Sequence, residues 1–434
     1  MPMPTPRDLD RCLNHLFGLR RFGIRLGLAT IRRMLAQLGD PQRSYAAVHI
    51  AGTNGKGSVA AGIASVLQQS GYRVGLYTSP HLVRFNERIQ VDGRPIGDGE
   101  ILTLYRRVRR TLSALDREPT FFEFATAMAF EAFARGGVEW AVIETGMGGR
   151  MDATNVIVPC LSVITNVSLE HREYLGPTIA RIAFEKAGIV KRRRPVVTGV
   201  RQPSALGVLE EIASRRSAPV YRSGRDFIVR KTADGLFDYR GIRLRLEGLR
   251  TALAGEHQRA NAGLVLAAGE LLAPRAPRIT ERSLREGLAA TRWPGRLEAV
   301  RERPLVLLDG AHNLDASRAL ARHVRERYAG RPITLVVGIL DDKPYRAMLR
   351  HLAPLAARVI ATQATTPRAL PAAKIAAAAS RFCPRVEAHP TVARALEEAL
   401  RTVPEQGVVL VAGSLYVVGE AKAALEGGLA VQPG

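Results

Sequence analysis

The chain has 434 residues, 46% of them hydrophobic, with 63 lysines and arginines against 40 aspartates and glutamates. This length and composition predict a globular protein of two domains. No apolar run is long enough to cross a bilayer and the first residues lack the apolar core of a signal peptide, so we expect a cytoplasmic protein. The three cysteines, Cys12, Cys160 and Cys383, show no paired spacing, so neither a disulfide framework nor a cysteine-based zinc site is indicated. The formal charge of +23 is mostly scattered and favours polyanionic substrates over nucleic acid.

Residues 44–200 alternate between apolar runs and helical patterns. The runs that predict strands are AAVHIA, VGLYT, WAVIE, CLSVIT and PVVTGV. Helical patterns begin near Ser58, Glu100, Phe121, Pro177 and Pro203. This alternation predicts an α/β fold with a doubly wound, mostly parallel sheet whose ligands lie beyond the carboxyl ends of its strands. Residues 231–246 then predict a small β-rich excursion, and residues 257–272 a return to helix.

A second alternation follows the linker-like segment RWPGR. It predicts strands at residues 305–308, 333–337, 358–361 and 408–411, and helices at 315–328, 372–379 and 392–401. We therefore expect a boundary near Trp293. It would separate a larger α/β domain of residues 1–293 from a smaller Rossmann-like domain of residues 294–434.

The stretch HIAGTNGKGS, residues 49–58, joins the first predicted strand to a predicted helix. Its three glycines allow close approach of the backbone to a ligand, Lys56 can reach the β and γ phosphates, and Ser58 offers a hydroxyl. The spacing departs from the usual P-loop, because only two residues separate the first two glycines and the third stands between lysine and serine. A glycine-rich turn with a solvated lysine is the alternative. The strand, loop and helix context favours a phosphate loop.

Three other strand ends carry polar side chains. Ser79 follows VGLYT, Glu144 closes WAVIE, and His171 follows CLSVITNVSLE. The carboxyl ends of parallel strands meet at one edge of a sheet, so this hydroxyl, carboxylate and imidazole are candidates for a shared magnesium site. Taken singly, each also has a structural interpretation: a turn residue, a helix cap and a hydrogen-bonded histidine.

Lys186 lies in EKAGIVK, on a helix predicted to begin after Pro177. Its neighbours are apolar, and partial burial would lower the pKa of the amine and favour its neutral form. A neutral amine reacts with carbon dioxide to give a carbamate, which is an anionic oxygen ligand for magnesium. The alternative is an ordinary solvated lysine.

Eight motifs recur in order between residues 52 and 420: GTNGKGS, TSPHLVRFNERI, ETGMGGRMDATN, EKAGIVK, GEHQRANA, WPGRLE, DGAHN and GSLYVVGE. Together they resemble the folylpolyglutamate synthase and dihydrofolate synthase family, a branch of the Mur ligase superfamily. The resemblance implies an ATP-dependent ligase of folate biosynthesis. In that family a carboxylate of dihydropteroate or of a folate polyglutamate takes the γ-phosphate of ATP, the amine of L-glutamate attacks the acyl phosphate, and ADP and phosphate are released.

The resemblance also implies roles for particular residues. The ATP phosphates would meet Gly55, Lys56, Gly57 and Ser58. Two magnesium ions would be held by Ser79, Glu144, His171 and Lys186, the last as N6-carboxylysine. A monovalent cation is a further candidate. The nucleotide would also meet Asn261, Arg296 and Asp309, with His312 close by. The pterin of dihydropteroate would meet Thr120, Phe121, Phe122, Glu123, Met151, Asp152 and Ala153. The residues expected to act in catalysis are Lys56, His171, Lys186, Asp309 and His312.

The sequence departs from the family pattern at two places. Leu314 follows HN where the family commonly has proline, and Glu170 precedes His171 where many relatives have aspartate. The first bears on the turn of the second domain. The second bears on the surroundings of the histidine proposed to bind metal. Neither change removes a proposed ligand.

Other function classes remain open at this point. A Mur-type ligase acting on a cell-wall nucleotide precursor would share the loop and the lysine, but it normally carries an N-terminal domain for which residues 1–43 are short. A non-ligase nucleotide-binding regulator would explain HIAGTNGKGS but not DGAHN and WPGR. The hypothesis of a nucleic-acid-binding protein is supported by net charge alone, and such a protein would show salt-dependent retention on DNA. We expect small-molecule substrates, no nucleic-acid or membrane partner, and a monomer.

Overall fold

The computed structural model of the chain describes residues 6–23, 25, 27–232 and 235–427. These residues form two units. The first runs to Ala252 and resumes from Gln258 to Arg292. The second contains Leu253–His257 and the chain from Trp293 onward. None of the described helices combines the length and the apolarity needed to cross a membrane.

The first unit is built from strands and helices that alternate along the chain. Its strands are β1 (Ala46–Ala51), β2 (Val74–Tyr77), β3 (Ile89–Val91), β4 (Arg94–Pro95), β5 (Trp140–Glu144), β6 (Leu161–Ile164), β7 (Val196–Thr198), β8 (Val220–Arg222), β9 (Ile228–Lys231), β10 (Phe237–Arg240) and β11 (Arg245–Leu249). Its helices are α1 (Pro6–Gly18), α2 (Ala29–Gln37), α3 (Lys56–Gln69), α4 (Asp98–Arg109), α5 (Phe121–Arg135), α6 (Arg172–Leu175), α7 (Ile179–Ala187), α8 (Pro203–Arg215), α9 (Glu256–Leu272) and α10 (Glu281–Ala290). The first two residues of α9 belong to the second unit.

The main sheet of this unit has eight strands in the order β4-β3-β2-β5-β1-β6-β7-β8. From β2 to β8 neighbouring strands are parallel, while β3 and β4 add an antiparallel edge. The central strand β1 is buried from Ala47 to Ala51, as its apolar sequence requires for an interior strand of a parallel sheet. The predicted doubly wound, mostly parallel sheet is confirmed. The short strands β3, β4 and β8 and the helices α1, α2, α6 and α10 were not predicted.

Helix α3 packs closely because its residues are small. A Cβ atom on Gly62 would lie 2.6 Å from a methyl carbon of Val265 on α9, and one on Gly287 of α10 would lie 2.6 Å from Val66. The helix is buried from Gly57 to Leu67. It begins at Lys56, two residues before the predicted start, so that Lys56 lies in its first turn.

The predicted β-rich excursion is confirmed as a three-stranded antiparallel sheet in the order β11-β10-β9. Glu270 on α9 anchors it. Its carboxylate accepts hydrogen bonds from the Tyr239 hydroxyl at 2.5 Å and from the backbone N–H of Arg243 at 2.7 Å. This small sheet is thereby attached to a helix of the same unit.

The second unit has a six-stranded sheet in the order β12-β13-β17-β14-β15-β16. Its strands are β12 (Glu298–Glu302), β13 (Leu305–Leu308), β14 (Ile333–Val337), β15 (Arg358–Ala361), β16 (Val386–Ala388) and β17 (Val408–Ala412). Its helices are α11 (Leu314–Arg327), α12 (Tyr345–Leu352), α13 (Ala372–Ala379), α14 (Val392–Thr402) and α15 (Leu415–Glu426). The four predicted strands are confirmed. The two edge strands, β12 and β16, were not predicted, because they mix polar with apolar residues and none of their residues is fully buried.

Candidate functional site

The loop between β1 and α3 is shaped by glycines that no other residue could replace without strain. Gly55 has a left-handed backbone, with φ of 82°. A Cβ atom on Gly55 would lie 2.8 Å from the side-chain oxygen of Asn261, and one on Gly52 would lie 1.8 Å from the Thr165 hydroxyl. The backbone of the loop is therefore wedged between the end of β6 and helix α9.

The amino end of α3 is left open for an anion. Its N-cap is Gly55, which has no side chain to accept from the first-turn N–H groups, and no acidic residue lies in that turn. Uncapped amides at a helix start favour a phosphate. The buried Ser58 hydroxyl accepts from Gln258 Nε2 at 3.3 Å, and Gln258 Oε1 accepts from Asn261 Nδ2 at 2.9 Å. The structure thus brings Gly55 and Ser58 of the loop together with Asn261; their contacts with ATP stay predictions.

Lys56 and the end of β5 meet beside this loop. The Lys56 amine lies 3.9 Å from a carboxylate oxygen of Glu144 and donates to the Thr53 carbonyl at 3.3 Å. Glu144 is 4% exposed, and its second oxygen accepts from the Ser79 backbone N–H at 3.2 Å. The buried Glu144 carboxylate therefore connects the Ser79 backbone with Lys56, the lysine that the sequence analysis predicts to contact phosphate.

Lys186 also reaches the loop, although it is far away in sequence. Its side chain on α7 is buried, and its amine donates to the Gly52 carbonyl at 2.8 Å. Burial lowers the pKa of Lys186 to about 7, and the positive charge of Lys56 acts in the same direction. The predicted burial of Lys186 is confirmed. A substantial fraction of the Lys186 side chains is therefore neutral near pH 7.

His171 lies just before α6 with a left-handed backbone, φ 51°, and is partly exposed. The described residues contain no group of three histidine, cysteine or acidic side chains suited to a metal ion. Of the predicted magnesium ligands, Glu144 and His171 are of those residue types, whereas Ser79 offers a hydroxyl and Lys186 an amine. The magnesium set stays a prediction.

The segment TFFE begins helix α5, and two of its side chains are used in the cap. The Thr120 hydroxyl accepts from the Glu123 N–H at 3.2 Å, while the Glu123 carboxylate accepts from the Thr120 N–H at 2.8 Å and pairs with Arg117. Phe121 is 9% exposed and belongs to the core. Phe122 lies against the glycine-rich turn, because a Cβ atom on Gly146 would be 2.5 Å from its ring. Their contact with a pterin stays a prediction.

Asp152 closes the glycine-rich turn that follows β5. Its carboxylate accepts from the N–H of Met147 at 2.9 Å and from the N–H and hydroxyl of Thr154 at 3.0 and 2.5 Å. Burial raises the pKa of Asp152, and these hydrogen bonds oppose that rise. The neighbouring Ala153 is buried and Met151 is partly exposed. Sequence reasoning gave no role to His49, whose Nε2 lies 2.8 Å from the Thr154 hydroxyl.

The second unit holds its own predicted residues together at the end of β13. The buried Asp309 carboxylate accepts from the N–H groups of Leu297 and Ala311, both at 2.9 Å. Burial raises the pKa of Asp309, while the Arg296 guanidinium acts in the opposite direction. His312 Nδ1 lies 2.9 Å from the Gly310 carbonyl. A Cβ atom on Gly310 would lie 2.2 Å from the Arg296 guanidinium and 2.4 Å from the Leu415 side chain, so a larger residue there would require these side chains to shift.

Both departures from the family pattern fit the local structure. Leu314 is the first residue of α11, and Asn313 caps that helix by accepting from the Ala316 N–H at 3.0 Å. The first helical position also suits proline, so leucine there does not change the turn. The charge of Glu170 raises the pKa of Lys186, which opposes the effect of burial. A carboxylate therefore remains in the surroundings of Lys186.

Comparison with known proteins covers both units. A family model described as the Mur ligase middle domain matches residues 50–269, and one described as the Mur ligase glutamate ligase domain matches residues 295–415. The Bacillus subtilis dihydrofolate synthase/folylpolyglutamate synthase is 43% identical over 82% of this chain and 85% of its own length. The Lacticaseibacillus casei folylpolyglutamate synthase is 39% identical over 92% of this chain and 94% of its own length.

Solved structures agree with these matches. Mycobacterium tuberculosis folylpolyglutamate synthase, complexed with ADP and AMPPCP, has a TM-score of 0.88 and 34% identity, covering 96% of this chain and 98% of that chain. Escherichia coli FolC in complex with DHPP and ADP has a TM-score of 0.88 and 28% identity, covering 98% of this chain and 99% of that chain. On these grounds the chain belongs to the folylpolyglutamate synthase/dihydrofolate synthase family of the Mur ligase superfamily.

Proposed function

We propose that this chain is an ATP-dependent ligase that joins L-glutamate to dihydropteroate and to the γ-carboxylate of folates and their polyglutamates. The observation that carries the proposal is the convergence of Lys56, Glu144 and Lys186 on one glycine-shaped loop at the uncapped start of α3. The substrates are inferred from membership of the family. Relatives that match most of this chain are named for both ligations.

The reaction has two steps that balance in atoms and charge. A carboxylate oxygen of the acceptor forms a bond to the γ-phosphorus of ATP, and the bond from that phosphorus to the bridging oxygen of ADP breaks. The amine of glutamate then attacks the acyl carbon, loses a proton, and expels phosphate. Phosphate leaves far more readily than hydroxide, so coupling to ATP makes amide formation accessible in water.

The phosphate loop would act by stabilising negative charge on the transferred group. The amides at the start of α3 point toward the loop, and the Lys56 amine is held beside it by the Glu144 carboxylate and the Thr53 carbonyl. Donors fixed in advance do not have to reorganise as charge develops. In phosphoryl transfer, positioning and charge stabilisation supply nearly all of the catalysis.

The residues at the edge of the main sheet fit a magnesium site in their chemistry. Ser79, Glu144 and His171 offer the hydroxyl, carboxylate and imidazole proposed to hold the ions, and Glu144 is a buried carboxylate next to Ser79. Lys186 could serve as a magnesium ligand only as the carbamate. Its lowered pKa favours the neutral amine, which is the form that reacts with carbon dioxide. When bound, magnesium offsets the charge of the phosphates. The monovalent cation stays a prediction with no residues assigned.

The remaining binding assignments are also proposals. We assign the pterin to the wall formed by Phe122 and residues 151–153, with Thr120, Phe121 and Glu123 shaping the start of α5 behind it. We assign nucleotide contacts to Asn261, and to Arg296, Asp309 and His312, which the second unit keeps together. We place the enzyme in the cytoplasm as a monomer. The three cysteines are free, which suits a reducing compartment.

The test is incorporation of radiolabelled glutamate in the presence of ATP and magnesium. Dihydropteroate, tetrahydrofolate and a uridine-linked cell-wall precursor are offered in parallel. Incorporation into one or both pteridines supports the proposal and tells which ligation the enzyme performs. Incorporation into the cell-wall precursor alone would overturn it. The matched variants are Lys56→Ala, expected to be inactive, and Lys374→Ala on an exposed position of α13, expected to be fully active.

A further inference from the structure

A buried chain of three side chains connects the strand before the phosphate loop with the glycine-rich turn. His49 on β1 is fully buried, and its Nε2 lies 2.8 Å from the Thr154 hydroxyl. That hydroxyl donates to Asp152 Oδ1 at 2.5 Å. His49 and Thr154 are 105 residues apart. The contact therefore joins two segments that only the folded sheet brings together.

The direction of the hydrogen bonds follows from the donors available. Asp152 Oδ1 already accepts from the Thr154 N–H at 3.0 Å, so the short contact with the Thr154 hydroxyl needs that hydroxyl's proton. A hydroxyl has one proton, so the Thr154 oxygen must accept from His49. His49 consequently carries its proton on Nε2.

The other ring nitrogen of His49 supports the same tautomer. Within the part of the chain that the structure describes, Nδ1 is buried and has no hydrogen-bond partner. A proton on Nδ1 would be a buried donor without an acceptor, which is costly, whereas a bare lone pair is tolerated more easily. A protonated Asp152 could instead donate to the Thr154 oxygen, and the Thr154 hydroxyl could then donate to His49 Nε2. That arrangement would put the ring proton on Nδ1, where it has no acceptor. Burial lowers the pKa of His49 to about 3, so the ring is neutral at working pH.

The far end of the chain shapes the turn. Asp152 Oδ2 accepts from the Met147 N–H at 2.9 Å and so holds the backbone beside Gly146. Gly146 faces the Phe122 ring so closely that a Cβ atom there would clash at 2.5 Å. A movement of Asp152 would therefore shift the surface against which Phe122 rests.

We propose that His49 is a positioning residue for the pterin substrate, acting through Thr154 and Asp152 to hold the glycine-rich turn against Phe122. The inference rests on the proposed function, because it assumes that this wall binds the pterin. His49 touches neither the substrate nor the reacting atoms. Its role is to supply one fixed N–H donor from β1.

Two pairs of variants separate this role from simple packing. His49→Leu and Thr154→Val remove the donor and the relay while keeping bulk. His49→Gln retains an N–H near the Nε2 position, and Thr154→Ser retains the hydroxyl. Loss of one such bond should raise the KM for dihydropteroate about tenfold, with the KM for ATP changed by less than about twofold. The Gln and Ser variants should recover most of the loss.

The double variant His49→Leu with Thr154→Val adds a further test. Both changes break the same chain, so the KM of the double variant should be no more than about twofold above that of the worse single variant. Val48→Ala, a buried change on the same strand without a polar contact, should lower thermal stability and leave both KM values unchanged. An unchanged dihydropteroate KM in folded His49→Leu, or fully additive losses, would overturn the proposal. If His49→Leu does not fold, Thr154→Val decides.

The tautomer is tested without any turnover. Long-range proton–nitrogen correlation spectra of the protein labelled with ¹⁵N-histidine, assigned with His49→Gln, should show a neutral ring protonated on Nε2. A proton on Nδ1, or a charged ring at neutral pH, would contradict the hydrogen-bond chain. If the wild-type enzyme ligates no pteridine, the proposed function is wrong. The spectrum still tests the tautomer of His49, because it does not depend on activity.

Discussion

Replacing Lys186 by methionine should remove activity and yet stabilise the first unit at low pH. Methionine has a similar length and no charge, so it removes the cost of burying an ammonium group. Burial lowers the pKa of Lys186 from 10.5 to about 7. A difference of that size corresponds to about 5 kcal/mol of destabilisation when the lysine is charged in both the folded and the unfolded chain.

The sign of the effect depends on pH. Below about pH 7 the lysine is protonated in both states and the full cost is present. Between about pH 7 and 10.5 the unfolded chain binds more protons than the folded one, so the stability of the wild-type protein rises with pH and the advantage of methionine shrinks. Methionine also leaves the Gly52 carbonyl without the amine that now donates to it at 2.8 Å, a loss of about 2 kcal/mol. The variant should therefore be about 3 kcal/mol more stable near pH 6 and less stable above about pH 9.

The measurement is urea unfolding across this pH range in buffer free of carbon dioxide. The chain has two tryptophans, so a Trp293→Phe background leaves Trp140 of the first unit as the fluorescent reporter. Lys374→Met is the control, because that lysine is exposed and its replacement should give no pH-dependent difference. The reasoning is refuted if the difference between Lys186→Met and wild type does not vary with pH, or if the variant is the less stable protein at pH 6.

Four further outcomes are expected. Lys56→Ala should lower kcat by at least about a hundredfold, since one well-placed phosphate contact is worth about 3 kcal/mol in the transition state; near-normal turnover would remove Lys56 from the mechanism. Lys186→Ala should lose activity that short carboxylates such as acetate partly restore if a carbamate is present, and an unmodified lysine in the intact mass of the active enzyme would argue against that carbamate. Gly55→Ala and Gly71→Ala should each lose about 1 to 2 kcal/mol of stability, because φ is +82° at Gly55 and +76° at Gly71. Only Gly55→Ala should raise the KM for ATP, since a Cβ atom on Gly71 meets nothing within 4 Å, and equal kinetics for the two variants would speak against the loop. Leu314→Pro should change the free energy of unfolding by less than about 1 kcal/mol, as measured by thermal melting, because proline suits the first position of a helix. A larger loss of stability would show that the leucine side chain contributes packing that proline cannot replace.

The sequence alone was enough to predict the parallel sheet and the phosphate loop. Apolar runs such as WAVIE predict buried strands because burial on both faces demands apolar residues in succession, and a glycine at position 55 follows from a backbone that other residues avoid. These are local requirements. The strands β3, β4, β8, β12 and β16 escaped prediction for the same reason, since short strands that are mostly partly buried or exposed leave no comparable apolar run.

Only the tertiary structure decided which side chains work together. The Lys186 amine bonds to the Gly52 carbonyl across 134 residues, and His49 reaches Thr154 across 105, because β1 lies between β5 and β6 in the sheet. The structure also shows that, within TFFE, the Glu123 carboxylate and the Thr120 hydroxyl cap helix α5, a local role that the sequence pattern did not indicate. Spacing along a chain constrains neighbours in sequence, whereas the order of strands in a sheet determines which distant residues share a site.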